Sequence, residues 1–289
     1  RYAMVSQLQH HGFDPDHDLI EVQPAPDEDR VSTERLLEAI ETHGDDVALV
    51  LLGGVSYFSG QVLDMRALAR AAHEKGCLIG IDLAHAAGNV VLKLHEWNVD
   101  FAVWCTYKYL NGGPGSVGAC FVHERHGNTP LRRFAGWWGH DKATRFKMPP
   151  DFVPIPGAEG WQLSNPPVLA LAALRASMEV FDEVGMEALR TKSKLLTGYL
   201  AFLFENQAAI RVITPREPSE RGCQLSIQIA GADRSLYEYL MAKDVICDWR
   251  EPNIIRMAPV PLYNTFSEVY DAAEELNAGL NVLGITAAQ

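Results

Sequence analysis

The chain has 289 residues, 47% of them hydrophobic, with 25 basic against 37 acidic side chains and a formal net charge of −12. That length can close one large domain or two modest ones around real cores. The negative field repels nucleic acid and anionic membrane, and no Lys/Arg run compensates for it. No stretch reaches the roughly 18 uninterrupted apolar residues of a membrane helix, and no charged-then-apolar signal opens the chain. A soluble protein is expected, with neither nucleic acid nor membrane as partner.

The first helical segment runs from Tyr2 to His11 and stops at Gly12. It starts directly after Arg1 with no lead-in, as in a sequence whose upstream part is missing. Ser32-Thr33 precede Glu34 and a Leu36, Leu37, Ile40 stripe ending at Gly44, the pattern of a capped amphipathic helix. Val47 to Leu52 is apolar without alternation and reads as a strand buried on both faces. The unit then repeats: Asp64 starts a helix closed by Gly76, and Cys77 to Ile81 is a strand ending at Asp82. A third apolar run, Phe101 to Trp104, stops shortly before Lys108.

Strand alternating with helix predicts an α/β domain with a mostly parallel sheet, whose function sits at the carboxyl ends of the strands. The stretch from Pro149 to Pro167 is rich in Pro and Gly and reads as a crossing segment. Helices are predicted after it at Val168–Phe181 and Met186–Glu205, strands at Gln224–Ile229 and Ile254–Met257, and helices at Ser235–Met241 and Phe266–Leu280. Residues 1–165 are thus expected to form a large domain, and 166–289 a smaller α+β domain. The five cysteines (Cys77, Cys105, Cys120, Cys223, Cys247) are odd in number and never in a C-x-x-C pair, which points to reduced thiols. The histidines include no metal-binding H-E-x-x-H, and no metal is expected.

Asp82 and Lys108 each follow a strand, so a βαβ connection can bring both to one sheet edge. Pyridoxal phosphate (PLP) needs such a pair: a lysine for its Schiff base, and a carboxylate that keeps the pyridine nitrogen protonated so that the ring draws electrons. An ordinary salt bridge between the two is the plain alternative. His85 lies three residues beyond Asp82 and can sit beside a ring held at its edge. Tyr107 precedes the lysine, and its hydroxyl can donate to a phosphate or shuttle a proton, or simply pack. Gly113-Pro-Gly115-Ser-Val-Gly118 matches G-x-G-x-x-G but leads into an apolar strand instead of a helix, so it is rejected as a dinucleotide fingerprint and read as a tight turn behind Lys108.

The strings Cys77-Leu-Ile-Gly-Ile-Asp-Leu-Ala-His-Ala86, Trp104-Cys-Thr-Tyr-Lys-Tyr-Leu-Asn-Gly112, Gly136-Trp-Trp-Gly-His140, Arg145-Phe-Lys-Met148 and Ser164-Asn-Pro-Pro167 resemble kynureninase, an aspartate-aminotransferase-like PLP enzyme. The resemblance covers the whole chain. Cysteine desulfurases typically carry a His where Tyr107 stands. The resemblance implies that Lys108 holds the cofactor, that Asp82 pairs with its pyridine nitrogen, that His85 lies near it and that Tyr107 contacts its phosphate. It further implies that Trp137 and Asn165 reach the cofactor site, in part across a homodimer interface, that Arg256 grips the substrate α-carboxylate, and that His140 faces the aromatic end of the substrate. An arginine paired to a structural carboxylate is the other reading of Arg256.

By the same resemblance, the segment that cups the phosphate lies upstream of Arg1. Phe58 also stands where a tyrosine often does, with Tyr57 one place earlier. The implied reaction is hydrolysis of L-kynurenine or 3-hydroxykynurenine in tryptophan catabolism or NAD biosynthesis. Another PLP reaction on the same fold, cysteine desulfuration or class V transamination, is one alternative, and an inactive truncated chain is another.

Overall fold

The computed structural model describes residues 1–286. Two short helices open it, α1 (Tyr2–His10) and α2 (Pro15–Asp18); in α2 the Asp14 side chain accepts from the Asp16 N–H and proline takes the first helical position. Ser32 caps α3 (Thr33–His43), which buries Leu36 and Ile40 one turn apart. β1 (Leu49–Gly53) precedes α4 (Met65–Glu74), capped by Asp64, whose Met65, Leu68, Ala69 and Ala72 form one apolar stripe. β2 (Leu78–Asp82), β3 (Phe101–Cys105) and β4 (Gly118–Val122) complete a sheet of order β1-β2-β3-β4. The first three strands are parallel and β4 returns antiparallel to β3. Gly113 and Gly115, at φ 84° and 74°, lie in that return, and a strand follows them as expected.

One expectation is corrected: β1 is not buried on both faces. The register places Leu49, Leu78 and Val103 on the same side of the sheet, and they are 43%, 45% and 43% exposed. Ile79, Ile81 and Ala102 are fully buried on the other side, in a core shared with Leu36, Ile40 and Leu68 of α3 and α4. The run has the composition of a strand covered twice, but among the described residues helices pack on one side only.

An irregular stretch with short 3-10 turns leads to α5 (Val168–Val184) and α6 (Met186–Phe204). The smaller unit follows as β5 (Ile210–Val212), β6 (Leu225–Ile229), α7 (Arg234–Ala242), β7 (Asp248–Arg250), β8 (Ile254–Met257) and α8 (Phe266–Val282). Its sheet, of order β5-β6-β8-β7, is wholly antiparallel. Sequence patterning finds β6 and β8; β5 and β7 have three residues each, too few to carry a period. The two cores part inside α6, where Leu189 belongs to the first and Leu196 to the second. The division expected at residue 165 marks the end of the irregular stretch, upstream of that point.

Away from the strand ends, the buried Asp100 ties three elements together. It accepts from His73 of α4 (2.9 Å), the Ile79 N–H of β2 (2.7 Å), and Arg125 and His126 beyond β4 (2.6 and 2.7 Å). Burial alone would raise its pKa, but these donors outweigh burial and hold the carboxyl well below the usual range. A carboxylate with a depressed pKa stabilises the fold fully above its unfolded pKa, about 4, and that contribution is lost as pH falls below it. Asp100→Ala is expected to cost about 3 kcal/mol in urea denaturation at neutral pH, and the gap between variant and parent should narrow in acid.

Candidate active site

Three loops converge where β1, β2 and β3 end: residues 54–60, 82–90 and 106–110. The middle loop turns because an Asp82 carboxylate oxygen accepts the Ala84 N–H (2.8 Å) and the Leu83 carbonyl accepts from Ala86 and Ala87. Gly88, at φ 79°, lets this loop press on the third one: a Cβ there would lie 2.8 Å from the Tyr109 carbonyl.

The packing of these loops brings Lys108 Nζ to 3.1 Å from His85 Nε2. Burial first, then the charges of Lys108 and Arg256, lower the His85 pKa to about 4, while the nearby Asp82 opposes them. The imidazole is therefore neutral at physiological pH. If Nε2 accepts from the lysine ammonium, Nδ1 must carry the ring proton, and among the described residues Nδ1 is buried without a partner. Among the described residues neither Lys108 nor Asp82 forms a salt bridge, so the plain alternative of a mutual ion pair is not what the fold makes. A lysine without a counter-carboxylate, an aspartate without a counter-cation and an unmatched buried N–H share one sheet edge. That set fits PLP: Lys108 would hold its aldehyde carbon, Asp82 its pyridinium nitrogen and His85 an acceptor oxygen.

Around this centre, Tyr107 is exposed, with its ring 5.8 Å from Lys108 Nζ. The rings of Tyr57 and Tyr109 lie 6.4 and 6.1 Å from that of His85. The phenol one place before Phe58 thus reaches the site. Arg256 of β8 also arrives here, where it ion-pairs with Asp248 of β7 and donates to the Tyr57 carbonyl, leaving Nε buried without a partner. Both readings of this arginine meet in that geometry: it is paired to a carboxylate, and it stands at the site.

Asp82 also faces a groove of about 1120 Å³, shared with Ala84, Cys105, Trp138, Trp161 and Asn165. Asn165 is therefore placed with Asp82. Trp137 does not line this groove; it packs edge-on against Trp138 and Phe146, with ring centroids 5.4 and 5.5 Å away. His140 is not brought to the centre either. It is 5% exposed, with Nε2 at 2.9 Å from Thr144 Oγ1 and Nδ1 accepting the Val153 N–H at 3.0 Å. Both ring nitrogens are used within its own segment. Sequence reasoning missed Asn89, which donates to the His85 carbonyl, Trp138, and Arg250, whose charge also lowers the His85 pKa; only Trp138, inside the Gly136-Trp-Trp-Gly-His140 string, carried a signal.

Solved structures share the architecture. A cysteine desulfurase from Escherichia coli superposes with a TM-score of 0.75 at 16% identity, over 91% of this chain and 65% of that one. An alanine–glyoxylate aminotransferase from Nostoc sp. gives 0.71 at 20% identity, over 96% and 72%. These likenesses define the class of fold, and Asp82, His85 and Lys108 stand together at its strand ends.

Within that class, residues 189–276 match the kynureninase C-terminal domain family. The chain is 55% identical to the kynureninase of Koribacter versatilis over 284 residues, 97% of this chain and 67% of that protein. It is also 55% identical to the kynureninase of Myxococcus xanthus, over 93% and 64%. The chain belongs to the kynureninase family and spans about two thirds of the length of these relatives. The expected family, fold and cofactor are all met.

Proposed function

We propose that the protein hydrolyses L-kynurenine, or its 3-hydroxy form, to anthranilate or 3-hydroxyanthranilate and L-alanine, as a cytoplasmic homodimer in tryptophan catabolism or NAD biosynthesis. The observation that carries this reading is the Lys108–His85 pair at 3.1 Å beside Asp82, in a chain of this family. When bound, PLP supplies an electron sink for the pair released at the substrate α-carbon.

The chain's own residues do the rest. Lys108, freed by the substrate amine, is the base for the α-proton, and the neutral His85 takes a hydrogen bond from its ammonium without competing for charge. Asp82 holds a positive charge opposite its carboxylate. Arg256, whose Nε–H is buried without a partner among the described residues, binds the α-carboxylate, and Tyr107 contacts the phosphate. Water adds at the γ-carbonyl; its oxygen leaves in the aromatic carboxylate, one of its hydrogens ends on the methyl group of alanine, and the other is released as the proton of the new acid.

Cys223 and Cys247 argue against sulfur transfer through either thiol. Burial pushes the Cys223 thiol up to about 12 and that of Cys247 up to about 11, so neither offers a thiolate at neutral pH. The test is anthranilate fluorescence from L-kynurenine with the cofactor-loaded protein. Loaded protein that yields no product would overturn the proposal and move the weight to another PLP reaction.

A further inference from the structure

Lys108 and His85 belong to the large unit, whereas Arg256 belongs to the sheet of the smaller one. A substrate held at its carboxylate by one and deprotonated by the other needs a fixed distance between them. Arg256 lies opposite Ser226 in the β6–β8 register, so its position follows that of the chain entering β6. Cys223 is on that entry.

Asn89 spans the gap. Its amide nitrogen donates to the His85 carbonyl (2.9 Å) and its amide oxygen accepts the Cys223 N–H (2.8 Å). It is 4% exposed, so both bonds are made away from water, where a lost partner is costly. Gly222 makes room for it: a Cβ there would lie 2.3 Å from Asn89 Nδ2. The first half of the link fixes the backbone of the residue that meets Lys108, and the second fixes the chain entering β6, the strand beside the one that carries Arg256.

We infer that Asn89 is a positioning residue, its amide setting the Lys108–His85 pair of the large unit against Arg256 of the small one. This rests on the kynurenine reading for its kinetic consequence only, because the bonds can be tested without turnover. Displacing a reacting geometry by about 1 Å can cost a hundredfold in rate.

The experiment compares Asn89→Ala, Gly222→Ala and the double variant with the parent, all as PLP-loaded protein. Asn89→Ala removes both bonds; Gly222→Ala leaves the amide intact but drives it out of place. Expected for either single variant are faster hydrogen exchange at the Cys223 amide, a shifted pH profile of the cofactor's visible absorption, and a fall in kcat/KM of about 10- to 100-fold. The double variant should be no worse than Asn89→Ala, since the methyl added at position 222 then meets no amide. Asn89→Asp keeps an acceptor for Cys223 but faces the His85 carbonyl with a second acceptor, so it should restore exchange protection without restoring the absorption profile.

Unchanged exchange and absorption in folded Asn89→Ala, or losses that simply add in the double variant, would overturn the inference. If Asn89→Ala does not fold, Gly222→Ala decides alone by the same readouts. A parent protein that binds cofactor yet releases no anthranilate would sink the kynurenine reading and leave the exchange and absorption tests of Asn89 standing.

Discussion

Lys108→Ala should abolish anthranilate formation, with kcat lowered by about 10,000-fold or more, because one side chain both anchors the cofactor and moves the α-proton. The fold should survive. Lys108 is half-buried, and among the described residues its one side-chain hydrogen bond is to His85. Two measurements separate loss of chemistry from loss of structure: the visible band of lysine-bound PLP should be missing, and the thermal midpoint should stay close to that of the parent. A third reads the electrostatics directly. The Lys108 charge is the second largest influence lowering the His85 pKa, after burial, so His85 should titrate at higher pH in the variant, as followed by NMR. Product formation by Lys108→Ala would remove the lysine from the mechanism.

Asp82→Asn should lower kcat by about 100- to 1,000-fold with little change in stability, the scale seen when one preorganised electrostatic group is removed. The substitution isolates charge from shape. Asp82 holds its own loop by accepting the Ala84 N–H, and an asparagine carbonyl oxygen can accept the same bond. What is lost is the negative charge opposite the pyridinium. Steady-state kinetics together with circular dichroism would decide: a folded Asp82→Asn with kcat within about twofold of the parent would mean that the carboxylate serves the turn alone.

The parts of this site visible in the sequence are those that lie at the ends of strands. Asp82 and Lys108 each follow an apolar run, and a βαβ reading brings such residues together before any coordinates are known. The glycines after Lys108 are legible as a turn because the run behind them is a strand. Roles beyond that edge come from resemblance to the family, and the fold treats them unequally. Asn165 shares the groove of Asp82, whereas His140 spends both ring nitrogens on Thr144 and Val153.

The pairing of Arg256 with Asp248 depends on two short strands lying side by side, and β7 is too brief to be seen in a hydrophobic pattern. Asn89 is illegible for a different reason. Its partners are a carbonyl four residues back and an N–H 134 residues on, and backbone groups leave no mark in the choice of residue type. The exposed face of β1 escapes sequence reading because an apolar run has the same composition whether one or two layers cover it.

The side of the first sheet on which no described helix packs has a practical consequence. Leu49, Leu78 and Val103 meet water there as a wetted aliphatic plate, a surface that water leaves readily for any apolar material laid over it. The strand register puts Cys105 and Cys120 on that same plate, and Cys120 is exposed. Its thiol is thus a built-in gauge: the speed at which a thiol reagent modifies Cys120 reads how far the plate is shielded in whatever assembly the chain enters.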